Sequence, residues 1–228
     1  DIRRQRQICI KDRFSIAPKK SHAIAVKRLI RYLLRTEDEG TTILPSKNLQ
    51  LDNYVDADFA GLYGRDPPED RSSALSRTGY IIKLSNMPLV WKSQLQTTVS
   101  LSTMEAEYTA LSTSMRVLIP IREMLLEFIR HVQIPSRFDT VNSSIQTTVH
   151  EDNSGALEMA RSPKMRPRTK HINRKYHWFR SLIAKAGENI DGKVVVLAID
   201  TKDQLADIFT KAVTQELFLK FRKAIFGW

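Results

Sequence analysis

The chain has 228 residues, 42% of them apolar and 27% charged, which is the profile of an ordinary globular protein with one large domain or one domain and an appendage. A formal charge of +11 and a pI near 9.8 favour polyanionic partners, nucleic acid before anionic membrane. A single cysteine, Cys9, excludes an internal disulfide framework, and no apolar run approaches the roughly 18 residues of a membrane span. The opening Asp1-Ile-Arg-Arg-Gln-Arg6 has charge without the apolar core of a secretory signal, and with no initiator methionine the chain reads as a piece of a longer one.

Residues 18–36 have the period of an amphipathic helix. Ser21 is its expected cap, Ile24, Val26, Leu29, Ile30, Leu33 and Leu34 its apolar face, and Lys27, Arg28, Arg31 and Arg35 its basic one. Gly40 is placed to end it. A strand follows at about 50–59 and carries Asp56 and Asp58, which alternation puts on one face, with Ala57 on the other. The stretch from Gly61 to Arg77, with Pro67-Pro68 and mixed charges, reads as an exposed loop. Two further strands, 78–84 and 89–93, are joined by a turn at Asn86-Met-Pro88, giving an antiparallel meander.

The longest helical signal spans about 103–130, where Met104, Tyr108, Leu111, Met115, Leu118, Leu125 and Ile129 make one core-facing stripe. Ser102-Thr-Met-Glu105 is a capping box at its start, and Pro120 is expected to kink or split it near Arg116. A fourth strand is expected within 142–150, a short helix at 154–161, a helix running to about 186 and a fifth strand at 192–199. A second capping box, Thr201-Lys-Asp-Gln204, opens a last helix or helix pair that runs to about Phe226. Three antiparallel strands followed by alternating units imply a mixed sheet with helices packed on it.

Four separated acids, Asp56, Glu107, Asp152 and Asp207, stand at the edges of apolar segments in this basic chain. Mg²⁺ prefers oxygen ligands and takes only a few from protein, and two such ions roughly 4 Å apart can drive an in-line displacement at phosphorus. That pattern points to a divalent-metal site that cuts a phosphodiester. Each acid also has a plain structural role open to it: Asp56 as a strand-end residue, Asp152 as a helix cap. Glu105 is accounted for by its capping box. Glu107 shares a face with Met104 and Leu111, where a charge needs a partner. The two glutamates lie roughly 200° apart around a helix, so one alone reaches a shared site. Asp207, one turn inside its expected helix, is not explained by capping.

At these residues the chain resembles the ribonuclease H domain of copia-type retrotransposon polyproteins. The matching motifs are Tyr54-Val-Asp-Ala-Asp-Phe-Ala-Gly61, Arg77-Thr-Gly-Tyr80, Trp91-Lys-Ser93, Ser100-Leu-Ser-Thr-Met-Glu-Ala-Glu-Tyr-Thr-Ala-Leu-Ser112, Glu151-Asp-Asn-Ser-Gly-Ala156, Arg168-Thr-Lys-His-Ile172 and Asp203-Gln-Leu-Ala-Asp-Ile-Phe-Thr-Lys211. They stand in the family's order over about residues 50–215. Residues 18–40 resemble the end of the reverse transcriptase and its connection, so a boundary is expected near residue 45, with a ribonuclease H-like domain over 46–228. No Tyr-x-Asp-Asp polymerase signature is present.

The resemblance implies an α/β, ribonuclease H-like fold with a five-stranded mixed sheet in the order β-β-β-α-β-α-β-α. It implies cleavage of RNA within an RNA–DNA hybrid, with two Mg²⁺ or Mn²⁺ ions. Asp56, Glu107, Asp152 and Asp207 match the family's catalytic, metal-binding acids; Glu107-Tyr-Thr-Ala110 fits the glutamate pattern and Glu105 does not. Implied partners are the hybrid and the reverse transcriptase of the same polyprotein, with no membrane and no small-molecule cofactor, in a cytoplasmic virus-like particle with nuclear entry. The histidine that many ribonucleases H carry shortly before the last acid is missing, since no His follows His177.

A hybrid is held through its phosphates. Lys164, Arg166, Arg168, Lys170, Arg174 and Lys175, in an acid-free run, form the expected track, with Lys92 and Gln94 as second candidates. His171 and His177 are expected in core or capping roles, and Trp91 and Trp178 in the core. Two rival readings stand beside the nuclease. One is a catalytically silent module that binds nucleic acid or supports the polymerase. The other is a DNA-cutting relative of the same fold, which the fourth acid disfavours because such enzymes usually rely on three.

Overall fold

The computed structural model describes residues 19–43, 49–64, 71–132, 145–162, 172, 174–185 and 193–228. Helix α1 spans Lys20–Arg35, strands β1 to β3 span Gln50–Asp58, Arg77–Leu84 and Met87–Leu95, and helix α2 spans Thr103–His131. Strand β4 (Gln146–Glu151), helix α3 (Ser154–Arg161), strand β5 (Val194–Ala198) and helices α4 (Asp207–Thr210) and α5 (Gln215–Phe226) complete the order.

The five strands form one sheet in the order β3-β2-β1-β4-β5. β1, β2 and β3 pair antiparallel, and β4 is parallel to both β1 and β5. The domain is therefore the α/β, five-stranded mixed sheet that the motifs lead one to expect. Alternation along the strands divides the core. Leu51, Val55 and Val149 pack on one face against Tyr108, Leu111, Met115 and Leu118 of α2, all fully buried. On the other face Ile81 packs with Leu205, Ile208, Phe209, Phe221 and Ile225, and Tyr54 and Trp91 flank them.

Several boundaries differ from those expected, each for a local reason. The β2–β3 turn is Ser85-Asn86, with Ser85 at φ +54°, and Leu84 faces Met87 across it. Pro88 is inside β3, an edge strand, where a missing N–H is tolerated, and the register shifts opposite Ile82/Lys83. α2 is one helix through Pro120. Pro120 and Arg116, whose carbonyl its absent N–H would have met, are both exposed, while Leu118 and Leu126 anchor the helix on either side. Trp178–Leu182 is a 3₁₀ turn instead of part of a helix reaching 186. Trp178 itself is exposed, edge-on to buried Phe179, and is not a core residue.

The expected capping box at Thr201 is not formed. Asp200 caps a short 3₁₀ turn by accepting from the Lys202 N–H, and the chain breaks again before α4, so Asp207 is the first residue of its helix. Lys19, not Ser21, precedes α1, and the His22 ring accepts from the Lys19 N–H. No residue of α1 is buried: Ile24 is 54% and Leu34 63% exposed. Residues just after α1 are tied to the end of α5, where the Thr42 N–H donates to Phe226 O at 2.8 Å and Trp228 Nε1 to Gly40 O at 2.7 Å.

Candidate active site

Pairing between β1 and β4 stops at Tyr54 opposite His150. Two residues further along each strand direction come Asp56 and Asp152, so the two acids leave neighbouring parallel elements at the same level. The Gln204 carboxamide fills the fork, donating to Val55 O at 2.9 Å and to His150 O at 3.3 Å. That bridge fixes the segment that leads into α4. On the other side Gly79 of β2 is the register partner of Asp56, and a side chain there would meet Thr210 Cγ2 at 2.6 Å and Phe209 Cβ at 2.8 Å. Glycine at this position lets α4 lie directly on the sheet.

The result is a convergence of acids at one end of the sheet. Asp56, Asp152 and Asp207 each place an oxygen within 4.8 Å of the others, and so do Glu107, Glu151 and Asp152. Asp152 belongs to both groups. Asp56 and Asp207 are each 2% exposed, Glu107 7% and Glu151 0%. All four acids expected from the sequence are thus brought together.

Hydrogen bonds hold the carboxylates. The Thr210 hydroxyl donates to Asp56 Oδ2, and the Thr201 hydroxyl donates to Asp152 Oδ2 at 2.9 Å. Lys211 Nζ lies 2.9 Å from Asp207 Oδ1 and 3.6 Å from Asp56 Oδ1. Burial, assisted by Asp56, raises the Asp207 carboxyl to about 7, against the pull of Lys211. Burial likewise raises Asp56, with Lys211 and Thr210 opposing. Glu107 is pushed well above the usual carboxylate range by burial and then by Glu151, Asp56 and Asp152, with the Ala57 backbone N–H as the opposing influence. Such an arrangement of hard oxygen donors disfavours its own charge and is suited to a divalent cation.

Glu105 has the structural role expected of it. Its N–H donates to the Ser102 hydroxyl, and its carboxylate accepts from the Leu101 N–H at 2.8 Å, one residue earlier than the usual reciprocal bond. Asp58 stays outside the convergence; its carboxylate occupies the space a Cβ on Gly61 would need.

The expected nucleic-acid contacts are less gathered. Lys92 and Gln94 lie on edge strand β3, opposite Tyr80 and Thr78 and on either side of Ser93, whose hydroxyl donates to Phe209 O at 2.5 Å. Lys175 is exposed, with its ammonium 4.8 Å from the Tyr176 ring centroid. Arg174 is in the 3₁₀ turn Arg174–Tyr176. Lys164, Arg166, Arg168, Lys170 and His171 lie outside the described residues. His177 meets the Tyr108 hydroxyl at 2.9 Å and burial lowers its pKa, a structural role.

No protein-family model matches the sequence. Curated relatives do. The chain is 31% identical over 208 residues to the retrovirus-related Pol polyprotein from transposon RE2 of Arabidopsis thaliana, covering 91% of this chain. It is 31% identical over 213 residues to that of transposon RE1 of the same plant, and 32% identical over 206 residues to that of transposon TNT 1-94 of Nicotiana tabacum. This chain is a homologue of the Pol polyproteins of retrovirus-like transposons. It spans 13–14% of the length of these relatives. Among solved structures, the N-terminal RNase H domain of a Mycobacterium tuberculosis protein, fused to maltose-binding protein, is similar at a TM-score of 0.42 and 11% identity, covering 76% of this chain and 99% of that one.

Two residues of this Pol homologue's site escape a sequence reading based on spacing alone. Lys211 stands four residues after Asp207, the helical spacing at which opposite charges meet. Glu151 shares its strand face with Thr147 and Val149, which are buried, so a carboxylate there must be buried as well. Both signals are in the sequence, and both are hidden beside a stronger motif residue.

Proposed function

We propose that this chain hydrolyses the RNA strand of RNA–DNA hybrids, as part of the reverse transcription of a retrotransposon, with Mg²⁺ or Mn²⁺ held by Asp56, Glu107, Asp152 and Asp207. The observation that carries the reading is the meeting of these carboxylates, from β1, α2, the end of β4 and α4, at one end of the sheet. Their fit to a cation rests on buried oxygen donors, among them Glu107 Oε2, which has no hydrogen-bond partner among the described residues. Bound ions would supply an activated water and stabilise the leaving oxygen of the cleaved phosphodiester.

The chain's own residues do the rest. Thr210 and Thr201 orient Asp56 and Asp152 through their hydroxyl donors. Lys211 neutralises Asp56 and Asp207 before a cation arrives and is then free to turn toward a phosphate. Lys92, Gln94 and Lys175, with Lys164, Arg166, Arg168, Lys170 and Arg174, would hold the hybrid backbone. The apolar stripe left exposed on α1 offers a surface to the reverse transcriptase of the same polyprotein.

A second reading, a silent module that binds nucleic acid without cutting it, is favoured by the Lys211 ammonium lying between two of the acids. One experiment separates the two: cleavage of a labelled hybrid in Mg²⁺ and in Mn²⁺, with RNA and DNA duplex controls and an Asp152→Asn protein. Hybrid-specific, metal-dependent cutting that vanishes in the variant is the expected result. A hybrid bound but left intact in both metals would point to the silent module, or to a nuclease that needs the polymerase part of its polyprotein.

A further inference from the structure

Beside Asp152, at the very end of β4, Glu151 is fully buried. Its Oε1 accepts the Asn153 N–H at 3.1 Å, which accounts for one oxygen. Oε2 is buried without a hydrogen-bond partner among the described residues, and so is Oε2 of Glu107 across the cluster. An oxygen from each of these two glutamates and one from Asp152 lie within 4.8 Å of one another.

The contrast with the neighbouring group is informative. Asp56 and Asp207 share the Lys211 ammonium, and the Thr210 hydroxyl donates to Asp56. Among the described residues no Lys or Arg forms an ion pair with Glu107 or Glu151, so no positive charge there offsets two enclosed carboxyl groups that face each other and Asp152 and are held by single backbone N–H groups, of Ala57 and Asn153. A buried acid held only to brace a helix cap would need one oxygen, and Asn153 already takes it. Each glutamate thus keeps an oxygen without a partner among the described residues, and the two carboxyl groups come together from α2 and β4 beside Asp152, which suits a hard cation.

We propose that Glu151 is a fifth carboxylate ligand of this site, holding a divalent cation together with Glu107 and Asp152, while Asp56, Asp152 and Asp207 hold another. Asp152 belongs to both groups and would contribute to each. The inference rests on the metal-dependent reading above and extends it with a residue that the four-acid pattern does not include. Its consequence is that the cation on the α2 side of β4 is held by more protein charge than four acids alone would supply, and so more tightly.

The test is titration of the whole chain with MnCl₂ by calorimetry, with the bound ion counted by electron paramagnetic resonance, for wild type, Glu151→Gln, Glu151→Met and Asp152→Asn. The Met variant replaces the acid with an apolar side chain of similar length, so it keeps the packing if Gln does not. Expected is two-ion binding in the wild type, with one ion lost or weakened roughly tenfold or more in both Glu151 variants. Asp152→Asn should weaken both. Wild-type affinity and stoichiometry in the two Glu151 variants would overturn the role of Glu151 while leaving the metal-dependent reading standing. A wild type that binds no Mn²⁺ would overturn both.

Discussion

Lys211 Nζ lies 2.9 Å from Asp207 Oδ1, one helical turn along the chain, and reaches on to Asp56 at 3.6 Å. This places a cation of the protein itself between two acids expected to bind metal. Removing it as Lys211→Met leaves both buried carboxylates facing each other, which should destabilise the metal-free protein by roughly 1–3 kcal/mol. The same change removes a competitor for the site. Added Mn²⁺ should therefore raise the melting temperature of the variant by more than it raises that of the wild type. A smaller rise in differential scanning calorimetry would mean that Lys211 assists cation binding instead of opposing it.

Gly79 faces Asp56 across the ladder, and α4 rests on its bare Cα. In Gly79→Ala the new Cβ would stand 2.6 Å from Thr210 Cγ2 and 2.8 Å from Phe209 Cβ. Neither neighbour is the far end of a flexible chain, so α4 must shift and carry Thr210 and Asp207 with it. A stability loss of about 1–3 kcal/mol is expected from overpacking. Hybrid cleavage should fall far more steeply than the stability loss explains, because Thr210 and Asp207 are the groups displaced. Full activity in a folded Gly79→Ala protein would show that α4 need not touch β2.

How much of this was open to a reader of the sequence follows from the physics of each element. The strands declared themselves through alternation and turn formers, and α2 through a stripe in which Tyr108, Leu111, Met115 and Leu118 are indeed buried. Glu107 was separable from Glu105 because rotation around a helix is fixed by residue number. The break at 204–206 was not legible, since it depends on Gln204 reaching across to two strands distant in sequence. Nor was the continuity of α2 through Pro120, which depends on an exposed ring and on buried leucines to either side. The α1 stripe is plainly apolar in the sequence, yet no periodicity says what an apolar face will meet. Here it stays exposed.

Lys83 tests the electrostatics away from the site. It points from β2 to the end of α5, donating to Ala224 O at 2.8 Å, and is 7% exposed. Burial lowers its pKa from the ordinary 10.5, with Asp52 opposing. The unfolded chain thus binds more protons than the folded one between the lowered value and 10.5, so this group makes stability rise with pH across that window. Below the lowered pKa its unfavourable contribution is present in full. Lys83→Met should therefore be more stable than the wild type at neutral pH, and the difference should shrink as pH climbs toward 10.5. Chemical denaturation at a series of pH values reads it directly; a variant less stable at pH 7 would show that the bond to Ala224 outweighs the burial.

Glu105 and Glu107, in the first turns of α2, provide the sharpest separation of capping from chemistry. Glu105 accepts the Leu101 N–H at the start of the helix, an exposed contact that any carboxamide can partly replace. Glu107 is buried, has no partner for Oε2 among the described residues and stands within reach of Glu151 and Asp152. Glu105→Gln should cost no more than about 1 kcal/mol in thermal or denaturant unfolding and leave hybrid cleavage near the wild-type rate. Glu107→Gln removes a ligand charge while easing the repulsion among buried acids. It should match or exceed the wild type in metal-free stability and lose cleavage by a hundredfold or more, on the order of 3 kcal/mol in the barrier. Loss of cleavage in Glu105→Gln with Glu107→Gln still active would move the site to the other side of the helix.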